Sequence, residues 1–129
     1  MTNLEIVKST YEGKSSEENG KNLQKFLAPD AVWTEAEGFP LAGTYIGFEA
    51  IAQNVFYRLA TEWIDYKFTP EDYVADGDKV VAFGTYSGTY KETNKFFKAR
   101  VAHLWQLEND SIISFEQFVD SKTVNDATK

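Results

Sequence analysis

The sequence predicts an α+β domain in which a curved antiparallel sheet wraps around three helices. Two observations lead there. Helical periodicity occupies the first half of the chain, and strand-like alternation takes over after Thr61. Gly84 and Gly88 fall inside a long alternating run, where they mark the bends or bulges by which a sheet curls.

The elements follow in order. Leu4, Val7 and Tyr11 share a helical face, with Thr2 or Asn3 as the cap. "EGKSSEENG" is a polar, turn-rich break, and "KNLQKFL" adds a short second helix that Pro29 stops. "AVWTEAE" alternates like a strand, and "GFPLAGTYIG" is a connection punctuated by glycine and proline. From Phe48 to Leu59 the pattern is helical again: Phe48, Ile51, Ala52, Val55, Phe56 and Leu59 line one face. "WIDYKFTPEDYVAD", "KVVAFGTYSGTY", "KFFKARVAHLWQL" and "IISFEQFVD" are strands, separated by turns at "DGD", "KETN" and "ENDS". The last of these ends the sheet. There is no internal repeat or linker, so residues 1–129 form one domain.

Composition limits what such a domain can do. Ten Phe, seven Tyr and three Trp are many for 129 residues, and aromatics line cavities for flat apolar ligands as well as filling cores. A formal net charge of −7 argues against general binding to nucleic acid or anionic membranes. The absence of cysteine excludes thiol catalysis and thiolate metal sites, and it agrees with a cytoplasmic location. The opening "MTNLEIVKSTYEG" lacks the basic-then-apolar pattern of an export signal. A single histidine makes a metal site improbable, and no cofactor is expected. "GTYSG" and "DGD" are strand and turn glycines without a following helix, so they are not phosphate loops.

Three ionisable residues stand out as candidate catalytic groups. His103 sits in the otherwise apolar row Phe97, Ala99, Val101, Trp105 and Leu107, where it would stay neutral, one nitrogen donating and the other accepting. Asp120 follows "FEQFV", a setting that would desolvate a general base; the alternative is a strand-end aspartate that caps a turn with Ser121. Glu35 alternates with Trp33, and beside that ring it could be a base of raised pKa rather than a solvated strand glutamate. Tyr11, Trp33, Phe39, Tyr45, Phe56, Trp63 and Phe118 are candidate pocket walls, and core packing explains most of them equally well. If "ENDS" closes a two- or four-residue hairpin, paired residue numbers sum to 219, so that His103 faces Glu116 and Asp120 faces Ala99. The hydrophobic pattern speaks against this pairing, since Ile113, Phe115 and Val119 lie in the other row, and either a bulge or a three-residue loop would reverse the parity.

The order of elements, with "LAPDAVW", "GFPLAGTYIGFEAI", "DGDKVVAFGTYSGTYKETNK" and "FEQFVDS", resembles the nuclear transport factor two-like superfamily across residues 4 to 124. Within it, the chain is most similar to the SnoaL-like branch, which includes polyketide cyclases and borders the ketosteroid isomerases. The resemblance implies a cone-shaped fold and gives Asp120 the place of the cyclases' catalytic aspartate, with His103 as a pocket histidine. By the same resemblance Glu35 falls where isomerases keep a carboxylate base, and Tyr11 near their enolate-binding tyrosine. His103 also stands close to the position of the isomerases' protonated aspartate. That replacement, with Glu for the base Asp, argues against steroid isomerisation. A limonene epoxide hydrolase set is not evident, because Arg100 and Asp120 lack a second aspartate.

These readings lead to a cofactor-independent isomerase or cyclase that binds a small hydrophobic carbonyl compound, with a non-catalytic binding domain as the alternative. The apolar residues on both sides of the strands from Val80 to Tyr90 and Phe96 to Leu104 predict a homodimer.

Overall fold

The computed structural model describes all 129 residues. The chain begins with α1 (Asn3–Ser9) and α2 (Ser16–Phe26), followed by β1 (Leu27–Glu35) and β2 (Gly43–Ile46). An interrupted helix comes next: α3 (Phe48–Ile51), a π-helical turn (Ala52–Phe56) and α4 (Tyr57–Glu62). Four strands and a last helix finish the chain: β3 (Trp63–Asp76), β4 (Lys79–Tyr90), β5 (Lys95–Glu108), β6 (Ser111–Val119) and α5 (Ser121–Ala127). The strands form one sheet in the order β2-β1-β6-β5-β4-β3. The predicted α+β class holds, and the sheet is antiparallel except where β1 runs parallel to β6.

Local chemistry accounts for the elements. Thr2 caps α1 in a capping box with Glu5, each satisfying the other's backbone N–H. Ser15 caps α2 by accepting from Glu18 N–H, so this helix starts inside the stretch expected to be a break. Pro29 does not stop α2, which has already ended at Phe26. It lies instead in β1, in the span between Leu27 and Val32 where pairing with β6 is interrupted. The expected connection before α3 contains β2, which pairs with β1. Pro70 is tolerated because β3 is an edge strand.

The bends of the sheet come from extra residues. Register shifts on β3 fall between Ile64 and Lys67 and between Pro70 and Asp72. Gly84 lies opposite the second of these. A Cβ there would stand 2.3 Å from the Thr69 carbonyl oxygen and 2.6 Å from the Phe68 ring, so only glycine allows this approach. Between β5 and β6, Asn109 and Asp110 form a two-residue turn with φ of 50° and 64°, the left-handed geometry that suits a tight hairpin. Leu107 pairs with Ile112, but Gln106 pairs with Ser114, leaving Ile113 as the extra residue of a bulge.

That bulge decides the inner face of the sheet. His103 is opposite Gln117, not Glu116, and the row Phe97 to Leu107 turns inward together with Phe115 and Gln117. Ile6 and Val7 from α1, Leu23 from α2, Ile51 from α3 and Val55 from the π-helical turn close over Trp33, Val101 and Trp105 to make the core. Helix α5, absent from the sequence reading, adds Val124 and Ala127 to it.

Candidate functional site

A cavity of about 460 Å³ lies between the helices and the inner face of the sheet. Its walls are mostly apolar, from Leu23, Val55, Phe56, Leu59, Phe68 and Phe115, and its exposed rim includes Ser16, Gly20 and Lys67. Such a lining with a few polar groups is what small-molecule sites share. A larger depression of about 560 Å³ on the outer face is lined mainly by polar side chains such as Thr69, Glu71, Thr85 and Lys98. No buried polar group without a partner lines it, so the inner cavity is the candidate site.

Three buried polar atoms without protein partners belong to residues of that inner cavity: Trp33 Nε1, Glu35 Oε2 and the Tyr66 hydroxyl. Residues Ala31, Trp33 and Glu35 form the inward row of β1, which puts the Glu35 carboxyl on the same side as the Trp33 ring. Burial pushes the Glu35 pKa up from 4.5 to about 8, with no cation or donor to offset it. Burial also holds the Tyr66 and Tyr86 phenols well above their usual range, and the nearby Glu35 charge adds to this.

His103 is buried and bonded at both nitrogens. The Tyr11 hydroxyl lies 2.6 Å from Nδ1 and the Tyr86 hydroxyl 2.6 Å from Nε2. Trp105 Nε1 donates to the Tyr11 hydroxyl at 2.8 Å, and Gln117 Nε2 donates to the Tyr86 hydroxyl at 2.8 Å. Ala36 N–H donates to Gln117 Oε1 at 3.0 Å and so fixes the amide's orientation. The rings of Phe68 and Phe115 stand 4.6 and 4.7 Å from the imidazole, centroid to centroid. Burial drives the His103 pKa down to about 3, so the ring is neutral across the physiological range.

Of the residues expected to act, Glu35, His103, Tyr11, Trp33 and Phe56 meet at this cavity. Asp120 does not. The chain turns after β6, and Asp120 caps α5, accepting from Thr123 N–H at 3.2 Å and from the Thr123 hydroxyl at 2.6 Å. Those two bonds lower its pKa, the reverse of the expected upward shift. Four of the expected pocket walls also lie elsewhere. Phe39 is buried against Tyr86, and Trp63 packs edge-on against Tyr66, Tyr90 and Phe97. The Tyr45 hydroxyl donates to the Leu41 carbonyl, and Phe118 is exposed on the outer face. Tyr66, Tyr86 and Gln117 went unread. Gln117 carried a signal like that of His103, a polar residue two places from Phe115 in an inward row.

The comparisons with known proteins agree with this fold. The profile of the SnoaL-like domain matches residues 9–115. No protein of curated function matches the chain. Among solved structures, an NTF2-like protein from Burkholderia thailandensis is 40% identical, with a TM-score of 0.94 over 100% of this chain and 98% of its own. An NTF2-like protein from Burkholderia xenovorans is 26% identical, with a TM-score of 0.83 over 98% and 95% of the two chains. A candidate SnoaL-like polyketide cyclase from Jannaschia shares the fold at 18% identity, with a TM-score of 0.80 over 97% and 90%. No helix of the chain is long and apolar enough to cross a membrane. With its inward-facing cavity, its strand order and a profile match over most of its length, the chain belongs to the SnoaL-like family of NTF2-like proteins.

Proposed function

We propose that this protein is a cofactor-independent proton-transfer enzyme, of isomerase or cyclase type, acting on a flat and largely apolar carbonyl compound. The observation that carries this reading is the Glu35 carboxyl, buried in the cavity wall with Oε2 unpartnered and its pKa raised to about 8. A group that titrates near neutrality can both take and return a proton, which is what general acid–base catalysis requires. Near pH 7 it is mostly protonated and serves as an acid; above about 8 it serves as a base. Tyr11 and Tyr86, tied to the neutral His103, supply the polar side of the cavity, where a carbonyl oxygen gains charge as the adjacent carbon loses its proton. Asp120 has a capping role in this scheme.

The test is turnover of cyclic ketones that carry an acidic α-hydrogen, followed as solvent-deuterium incorporation by NMR. Glu35→Gln should lower the exchange rate by about 10²–10⁴-fold while ligand affinity changes little. Exchange at an undiminished rate in Glu35→Gln would remove Glu35 from the chemistry. A second reading is a binding protein without turnover, favoured by Trp33 Nε1 and the Tyr66 hydroxyl, which suit ligand oxygens and need perform no chemistry.

The proposal includes a homodimer through the outer face of the sheet. There Phe83, Ala102 and Phe118 lie side by side across β4, β5 and β6, and both phenylalanines are exposed. Sedimentation equilibrium at micromolar concentration should report twice the chain mass. Phe118→Asp should return the monomer.

A further inference from the structure

The bonds around His103 contain a hydrogen that has nowhere to go. Both ends of the chain of side chains have fixed polarity. An indole N–H can only donate, so Tyr11 oxygen must accept from Trp105. At the other end, the Ala36 N–H can only donate, so it claims Gln117 Oε1 and turns the amide nitrogen toward Tyr86. Between these two donors lie the bonds Tyr11–His103 and His103–Tyr86. A neutral imidazole brings one N–H and each tyrosine one O–H, which makes three hydrogens for two bonds. If Nε2 carries the imidazole hydrogen, Tyr11 donates to Nδ1 and the Tyr86 hydrogen is free. If Nδ1 carries it, the Tyr11 hydrogen is free. The heavy-atom geometry favours neither arrangement, since both inner bonds are 2.6 Å and both outer ones 2.8 Å. Tyr11 and Tyr86 both line the cavity.

We propose that Gln117 is a positioning residue whose locked amide leaves one tyrosyl hydrogen unclaimed, exchanged between Tyr11 and Tyr86 through the His103 tautomers and offered to an oxygen acceptor of the ligand. The inference rests on the proposed function for its ligand, but the hydrogen count stands on the ligand-free protein. Its consequence is a donor available on either side of His103, at Tyr11 or at Tyr86, according to where the acceptor lies. Gln117 itself does not line that cavity; it acts through Tyr86.

His103 is the only histidine, so its ring nitrogens can be followed in the full chain by nitrogen NMR without assignment ambiguity. At neutral pH the wild-type protein should give intermediate shifts at both nitrogens, from exchange between two neutral tautomers. Gln117→Glu keeps the shape but reverses the end of the chain. Once ionised, its carboxylate accepts from both Ala36 N–H and Tyr86 O–H, which forces Tyr86 to accept from Nε2 and leaves no free hydrogen. This variant should show a single Nε2–H tautomer, and acidification that protonates the new carboxyl should bring back the exchange. A single tautomer in the wild type, or an exchange that Gln117→Glu leaves in place with its carboxylate ionised, would overturn the inference. If the variant fails to fold, the wild-type spectrum alone decides.

Indanone and indane then separate this inference from the function it rests on. Indanone should draw His103 into one tautomer, whereas indane, the same carbon frame without oxygen, should leave the exchange unchanged. Indanone that binds in the cavity without altering the nitrogens overturns the donor role. Failure of both probes to bind counts against the ligand reading of the cavity, while the ligand-free spectra still decide the hydrogen count.

Discussion

His103 on β5 stands directly opposite Gln117 on β6, and both side chains reach the hydroxyl of Tyr86 on β4. Three adjacent strands thus converge on one phenol at the inner face of the sheet. A neutral amide opposite the imidazole, rather than a carboxylate, leaves the ring without a charge to stabilise its cation. Burial therefore dominates, and His103 stays unprotonated.

Stability should depend on pH through two groups of opposite sign. Glu35 is raised from 4.5 to about 8, so above pH 4.5 the folded state holds a proton that the unfolded state has lost, and stability falls as pH rises. His103 is lowered from 6.5 to about 3, so below pH 6.5 the unfolded state gains a proton that the folded state refuses, and stability falls as pH drops. Each slope is about 1.4 kcal/mol per pH unit, so the two cancel between about 4.5 and 6.5. Above that plateau stability should drop by roughly 2 kcal/mol on reaching pH about 8. Glu35→Gln should abolish this alkaline decline, which urea denaturation across the pH series would register. A decline of the same size in the variant would rule out Glu35 as its source.

Tyr66→Phe should separate stability from binding. The Tyr66 hydroxyl is buried without a partner, so its removal should leave the ligand-free protein equally stable or stabilise it by about 1 kcal/mol. If a ligand oxygen meets this hydroxyl, indanone affinity should fall by roughly tenfold in the same variant. Thermal denaturation and calorimetric titration report the two effects independently. A clear loss of stability would mean that the hydroxyl has a partner in the free protein.

Asp120→Ala should weaken α5 without touching the site. Both carboxylate oxygens accept from Thr123, and Asp120→Asn retains a side chain able to cap. A lower melting temperature for the alanine variant, with indanone binding and α-hydrogen exchange unaltered, is the expected result. Lost exchange in a folded Asp120→Asn protein would return this residue to the chemistry.

Gly84→Ala should destabilise the domain by about 1–3 kcal/mol, because the added methyl overlaps the Thr69 carbonyl oxygen and the Phe68 ring. The Phe68 ring lies tilted against the His103 ring, so the displacement should also perturb the histidine nitrogens. Denaturant midpoints and the His103 spectrum test both parts.

Much of this molecule follows from the sequence alone, because some signals are local. Period-two alternation marked Phe97 to Leu107 as one row, and the row is buried with His103 inside it. The helical face holding Ile51 and Val55 was equally legible, although the π turn within it left no periodic trace. The family resemblance, too, rests on stretches readable in order along the chain. Other features depend on which residues meet across the fold. One extra residue at Ile113 changed the partner of His103 from Glu116 to Gln117, and a bulge costs the sequence pattern only a single place. Alternation set Glu35 beside Trp33, but only the assembled fold removed its carboxyl from water and raised its pKa. Asp120 follows an apolar run as a buried base would, yet the chain turns there into α5 and leaves it in solvent. Periodicity reports the direction of a side chain relative to its neighbours. Desolvation and hydrogen-bond partnership, which set the chemistry, are properties of the assembled core.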